Sequence, residues 1–546
     1  MDMPGTNPSS SQLPAILFFL AAGLLLCAFA WDGSPLNHDE ITYLTMARHM
    51  VESGNWLDLD FHGAVVHQRP PLAIWLLAAF GSLGSFSLFF TRLPSIVMAW
   101  LCLLFLFLLV RESSRLSPAP LTAASPLPPR AESGERGGWM GAPVLPLLAP
   151  AFLLSSALFY FNARRPMTDM TFLAGFCLFL YSYVRASRRP WTWLVAGFAA
   201  GWMLMSKGAI TLLPLGAVGL DMLLSPRRRE LLSPCLRAGI GCALALALPW
   251  HVTQSIRHGE AFWSEYIGFN VLSRATTSLF SEPDPLFYLR ELWDNEKGTL
   301  LLAIVGPVGL LAGAWQKRRS LLAAPVCPER LLLLVIACTA LPLQLASTRI
   351  SHYFLPVLPG IMAAAAWTIA RWGSEAPPPI LLPPSTRLEA GGGRPQGRER
   401  LLALAGFGLA AALFLGNNLH HMAAPDYSPD QVRLSRTVEQ KGARVVSVNH
   451  YELAFFYFLD RPPEMLTDSD RFFTIVDKEP LLHRSHAVRL IPRDRLLPEL
   501  AAGPFYALTE PAHVSLFCGP DGSRCDRDGP FRLVEGDYLV LVTNRR

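Results

Sequence analysis

Long uncharged apolar runs recur along this chain, separated by short polar loops. Leu13 to Trp31 carries no charge over 19 residues, roughly 28 Å of helix at about 1.5 Å per residue and enough to cross a hydrocarbon core. Similar runs lie near 92–110, 142–160, 170–185, 191–206, 209–224, 236–250, 298–315, 330–346, 352–370 and 401–416, which brings the expected spanning helices to eleven. PLAIWLLAAF (71–80) is apolar too, but it stops at Gly81 and Gly84. At that length it predicts a helix lying in the interface.

Composition agrees with this pattern. The chain is 51% hydrophobic and only 16% charged over 546 residues, against about 25% charged in an ordinary soluble protein. Its mean hydropathy is +0.31. Residues 1–12 hold no Lys or Arg and no small-residue cleavage site follows the first run, so the first helix reads as a retained anchor and not as a signal peptide.

The basic residues set the topology. With 71–80 lying flat, RASRRP (185–190), SPRRRE (225–230), QKRRS (316–320) and the Arg-bearing stretches 111–140 and 371–400 all fall on one side. By the positive-inside rule that side is the cytoplasm. The N-terminus is then cytoplasmic, and Asp39 and everything beyond 416 face outward. Counting 71–80 as a span would put the Arg clusters on the same side as Asp39. The net charge of +5 is accounted for by these loops, with no call for a nucleic-acid partner.

Stretches 117–140 and 373–400, rich in Pro, Gly, Ser and Arg, read as flexible linkers. From about 417 the pattern changes: RVVSVNHYELAFFYFL, GPFYALTE and YLVLVTN predict strands and a helix. The expected architecture is an all-α polytopic membrane domain over 1–416 and a soluble α/β domain over 417–546. Seven of the nine cysteines lie in or beside apolar runs; Cys518 and Cys525 share the polar turn CGPDGSRC. On an oxidising outer side these two are expected to pair, with the other seven reduced.

Candidate chemistry gathers at the outer helix ends. NHDEITYLTMARHM (37–50) places Asp39 and Glu40 where the first helix leaves the lipid. Asn37 and Glu40 also suit a capping box. HQRPP (67–71) brings Arg69, NARRPMTD (162–169) brings Asp169, SKG (206–208) brings Lys207, and STRISHYFLP (347–356) brings Arg349, His352 and Tyr353. Each has a structural alternative: Asp169 pairing with Arg164 or Arg165, Lys207 snorkelling to the interface, Tyr353 acting as an aromatic anchor. His38, His62 and His67 raise a metal site, but their spacing matches no strong ligand pattern. A transporter would more often keep its ionisable groups near the membrane midplane.

The motifs D-E-x-x-Y-x-x-x-A-x-x-M-x-x-x-G-x-W (39–56), R-P-P-L-x-x-W-L (69–76), T-R-L-P (91–94), R-P-M-T-D (165–169), S-K-G (206–208), P-W-H (249–251) and H-Y-F-L-P (352–356) resemble, in order and spacing, the superfamily of dolichyl-phosphate-mannose-protein mannosyltransferases and aminoarabinose lipid A transferases. The resemblance runs from 13 to about 370. It implies a GT-C-type fold and transfer of a sugar from a polyprenyl phosphate to an acceptor at the outer membrane face, in a bacterial inner membrane. The acceptor would be lipid A or another envelope glycolipid first, an exported protein second. Arg69 departs from the Lys usual before Pro-Pro in bacterial members.

Chemistry reaches the same reading. Nucleotide sugars are cytoplasmic, so an outward-facing transferase needs its sugar delivered on a lipid. A phosphate leaves as a stable anion and needs no protonation, unlike the alkoxide that most glycosidases release. One general base is then enough. Asp39 is the candidate base, with Glu40 and Asp169 the further catalytic carboxylates. Arg69, Lys207, Arg349, His352 and Tyr353 are candidate holders of the donor phosphate, the two basic residues Arg69 and Lys207 being expected in a wet headgroup region. Backside attack would invert the anomeric centre. No cofactor is required by this scheme, though a divalent metal stays open. A flippase without transferase chemistry, or a lipid or glycan receptor, would share the composition.

Overall fold

In the computed structural model the described residues are 13–28, 38–116, 145–278, 284–316, 321–374, 396–423 and 429–438, and within 442–545 chiefly 442–449, 464–467 and 487–545. Asn37 and the linker 117–140 lie outside them, as do residues 375–395 of the linker expected over 373–400, whose two ends are helical.

Helix α1 (Leu13–Cys27) leads to α2 (His38–Ser53), a short hairpin of β1 (Asp60–Phe61) and β2 (Ala64–Val65), and α3 (Leu72–Leu83). Then come α4 (Leu88–Leu116), α5 (Leu148–Ser155), α6 (Ala157–Ala163), α7 (Thr168–Ala186), α8 (Thr192–Lys207) and α9 (Leu212–Leu223). The series continues with α10 (Pro234–His258), α11 (Glu260–Trp263), a π-helical stretch Ser264–Ser273, α12 (Arg274–Thr276), α13 (Phe287–Asn295), α14 (Lys297–Gln316), α15 (Pro328–Leu345), α16 (Leu358–Ser374) and α17 (Gln396–Ala423). Among the described residues six helical stretches are long and apolar enough to cross a membrane, or seven if the bent pair α6 and α7 is one span. At 12 residues α3 falls short of that length.

Two expected elements differ in detail. The run 142–160 is not one helix: α5 ends at Ser155, Ser156 is extended, and α6 begins beyond it. The buried Glu296 carboxylate occupies the break, accepting from the Ser156 hydroxyl (2.8 Å), the Thr299 hydroxyl (2.5 Å) and the Leu158 amide. It thereby serves amide groups that a new helix start leaves unsatisfied. Between α6 and α7 the chain then bends by 112°.

The second concerns 192–223, which is helical without interruption through a 3-10 turn at Gly208–Thr211 yet reverses there. The Trp193 indole donates to Glu230 at 3.1 Å. A straight helix over those 37 residues would carry Glu230 roughly 55 Å away. Gly208 makes the reversal at φ +59°, a value only glycine adopts at low cost. Helices α8 and α10 then run side by side so closely that a Cβ on Gly197 would lie 1.9 Å from the Gly239 carbonyl oxygen.

The apolar bodies of α4, α7, α8 and α16 form the main core, and polar layers close it at both ends. At one end Glu112 faces Arg115 and Arg185, Asp221 accepts from Tyr183 (2.5 Å) and Arg330 (2.7 Å), and Arg227 pairs with Glu230. Helix α7 links this end, through Arg185 in its last turn, to Asp169 in its first, about 24 Å apart along the axis.

The C-terminal part holds a six-stranded mixed sheet. Strands β3 (Arg444–Val448), β4 (Glu464–Thr467), β5 (Ala487–Leu490), β6 (Phe505–Thr509), β7 (Arg532–Glu535) and β8 (Val540–Thr543) lie in the order β5-β4-β3-β6-β8-β7, with β5, β4, β3 and β6 parallel. Apolar side chains cover both faces of β3 and β6, as a parallel sheet requires. Cys518 and Cys525 are joined in a disulfide, and the other seven cysteines are free thiols.

Candidate active site

The site is built where α2, α7, α8 and the turn before α16 end together. Asp39 and Glu40 occupy the first turn of α2, where carboxylates favour the positive end of the helix dipole. Glu40 turns inward, 1% exposed, and faces the buried Arg92 guanidinium at 3.8 Å. Asp39 points the other way and accepts from Arg69 at 3.1 Å. The Arg69 guanidinium also lies 4.6 Å from the centre of the Tyr43 ring, one turn along α2. The two adjacent carboxylates are thus divided between core and site.

Asp169, in the first turn of α7, pairs with Lys207, the last residue of α8, at 2.6 Å. Neither Arg164 nor Arg165 is its ion-pair partner; those guanidiniums lie over the rings of Tyr160 and Phe161. The pair is drier than a headgroup location implies: the side chains are 2% and 13% exposed. Lys207 Nζ sits 5.7 Å from the centre of the Tyr353 ring. The Tyr353 hydroxyl in turn accepts from Arg274. His352 lies within electrostatic reach of Asp39, Arg69, Asp169 and Lys207 at once.

Six of the eight expected residues therefore converge, Glu40 standing behind the first turn of α2 and turned to the core. Arg349 does not join them. Its guanidinium donates to the carbonyls of Gln344 (2.8 Å) and Asp284 (2.7 Å), so it holds loop backbone. Arg274 brings the guanidinium that sequence reasoning overlooked. The available signal was its isolation: it is the single charge between Glu265 and Glu282, just where an apolar π-helical stretch ends.

Two of the short motifs meet beneath Lys207. His251 Nδ1 lies 2.8 Å from the Ala247 carbonyl and must donate to it, so Nε2 accepts from the Tyr266 hydroxyl at 2.8 Å. That hydroxyl packs on the Gly208 turn, where an added Cβ would lie 2.4 Å from it. P-W-H and S-K-G are thus one unit that fixes the backbone on which Lys207 is carried. Among the described residues no group of three or more His, Cys, Asp or Glu side chains is arranged to hold a metal ion.

Several apolar helices closed by polar layers at both ends, with a covered sheet following them in the chain, describe a multi-pass membrane protein. The family model for dolichyl-phosphate-mannose-protein mannosyltransferase matches residues 146–252, from α5 into α10. An undecaprenyl phosphate-alpha-4-amino-4-deoxy-L-arabinose arabinosyl transferase of Erwinia tasmaniensis is 26% identical over 62% of this chain and 56% of its own length. One of Pseudomonas savastanoi pv. phaseolicola is 28% identical over 46% and 43%. The chain thus spans about half the length of these curated relatives. The crystal structure of ArnT from Cupriavidus metallidurans bound to undecaprenyl phosphate superposes with a TM-score of 0.65 at 15% identity, covering 97% of this chain and 98% of that one. This likeness is one of fold. The family match, these relatives and the shared fold agree with the resemblance that the motifs carried.

Proposed function

We propose that the protein is a membrane glycosyltransferase that moves a sugar from a polyprenyl phosphate to lipid A or another envelope glycolipid, with inversion, at the periplasmic face of a bacterial inner membrane. The observation that carries this reading is the convergence of the Asp39–Arg69 and Asp169–Lys207 pairs with Tyr353 and Arg274 at one end of the helices. The arabinosyl transferases among its relatives, named for an undecaprenyl phosphate-linked sugar, support the donor class.

In this scheme the acceptor hydroxyl gives its proton to Asp39 as its oxygen attacks the anomeric carbon, and the bond to the phosphate oxygen breaks. Arg69 is shared between base and phosphate. Lys207, held by Asp169, offsets the charge that grows on the departing phosphate, and Arg274 with Tyr353 lines its other side. Glu40 anchors the first turn of α2 through Arg92. The basic loops support an N-terminus in the cytoplasm and residues 417–546, as a separate α/β domain, in the periplasm. Eleven spans satisfy that orientation.

The test is incubation of the protein in bilayers with a polyprenyl-phosphate sugar labelled in the sugar and with lipid A. Label on lipid A, free polyprenyl phosphate left behind and an inverted anomeric centre by NMR are the expected result. Label that stays on its donor while the lipid crosses the bilayer would make the protein a flippase.

A further inference from the structure

The loop between α2 and α3 is tied to the far end of α10 by one buried carboxylate. Asp58, 7% exposed, accepts from His258 at 3.0 Å and from Gln254 at 3.1 Å on one oxygen; on the other it meets Arg257 at 3.0 Å and Asn55 at 3.3 Å. The neighbouring Leu57 carbonyl accepts from Trp250 (3.0 Å) and Gln254 (2.9 Å). Farther along the same loop the His67 ring packs 4.7 Å from the His258 ring, and the Gln68 carbonyl accepts from Asn270 at 2.9 Å. Burial alone would push the Asp58 carboxyl up; its hydrogen bonds from His258, Gln254 and Asn55 and the charge of Arg257 outweigh that and hold it below its ordinary value. It stays a carboxylate at neutral pH.

Both ends of this clasp lead to the site. The residue after Gln68 is Arg69, which pairs with Asp39. One helical turn after Asn270 is Arg274, which donates to Tyr353. A buried charge costs several kcal/mol in desolvation, and an apolar replacement often serves stability as well or better. Holding two segments in fixed register is the better-attested use of such a group. We infer that Asp58 is a positioning residue: with the Gln68–Asn270 contact it fixes the separation of the Arg69 and Arg274 guanidiniums that grip the donor phosphate. This rests on the donor class proposed above. Asp58 itself touches no reacting atom; it acts on donor affinity through the spacing of two cations that approach one phosphate from different segments.

The experiment titrates undecaprenyl phosphate, without sugar, into the full chain in nanodiscs and records thermal unfolding in parallel. Asp58→Ala should weaken binding by roughly tenfold or more, which corresponds to about 1.4 kcal/mol of lost binding energy. Asp58→Asn, which keeps an oxygen for His258 and Gln254, should recover most of the affinity. Asn270→Ala should weaken binding in the same sense with no change in unfolding temperature. A parent protein that does not bind the lipid phosphate overturns the donor class itself. A parent that binds, with Asp58→Ala and Asn270→Ala binding as tightly, overturns the positioning role alone. Should Asp58→Ala unfold, Asn270→Ala decides: unchanged affinity there makes the clasp structural only.

Discussion

The Lys207 ammonium donates a hydrogen bond to the Asp169 carboxylate across 2.6 Å, and the two reach each other from opposite helix termini, the end of α8 and the start of α7. Since Asp169 is almost fully buried, the ammonium is both a candidate phosphate ligand and the charge that makes that carboxylate tolerable.

This couples two properties that a surface lysine would keep apart. Lys207→Ala should lower stability by about 3–5 kcal/mol, because it strands a buried carboxylate, and should also lose donor binding. The double variant Lys207→Met with Asp169→Asn should regain stability without regaining donor binding. Unfolding curves beside lipid-phosphate titrations check this; recovery of both together would make the lysine purely structural.

The division of the two adjacent carboxylates predicts unequal variants. Asp39→Asn keeps shape and helix-start preference but removes the basic oxygen, so it should bind donor and lose turnover by about 10²- to 10⁴-fold. Glu40→Gln should retain most turnover and lose thermal stability instead, since Arg92 then stays buried beside a neutral amide. Single-turnover rates with saturating donor decide between them. If Glu40→Gln is the dead variant and Asp39→Asn active, the roles are reversed.

Gly208→Ala adds a methyl 2.4 Å from the Tyr266 hydroxyl at a backbone φ of +59°. Strain of this kind costs on the order of 1–3 kcal/mol. The variant should melt earlier and bind lipid phosphate less tightly, because relief comes by moving Lys207. Adding Tyr266→Phe should relieve only the part owed to the hydroxyl. Affinity equal to the parent's would show that Lys207 is indifferent to this turn.

Residues 417–546 are expected outside the inner membrane. In intact spheroplasts a membrane-impermeant maleimide should label Cys518 and Cys525 only after an impermeant reductant opens their disulfide. Labelling that requires the inner leaflet to be breached would invert the topology.

Much of this was legible because the relevant physics is local. Apolar runs and the strand patterns after 417 each need only neighbouring residues, although the first run, expected to cross lipid over 13–31, is helical over only the 15 residues Leu13–Cys27. Asp39, Arg69, Asp169, Lys207 and Tyr353 were legible because ionisable groups at one level of an apolar bundle are costly. What escaped depends on partners distant in sequence. Ser155 and Ser156 do not announce a helix break; it is stabilised by Glu296, 140 residues away. Arg349 and Arg274 look alike in sequence, and which one reaches the site is decided by whether loop carbonyls, as for Arg349, or the Tyr353 hydroxyl, as for Arg274, stand opposite them.

Helix α7 measures the distance between the two polar layers at about 24 Å, whereas the hydrocarbon of a typical bilayer is about 30 Å thick. With the opposite layer at one headgroup surface, lipid around this protein would thin, or leave the Asp169–Lys207 layer several ångströms beneath the other headgroups, and either accommodation costs only fractions of a kcal/mol per ångström. A lipid-borne phosphate drawn down to that layer would keep its chain in the membrane throughout. The transfer proposed above would then be sensitive to membrane thickness, slowing in bilayers of longer acyl chains even when substrate is plentiful.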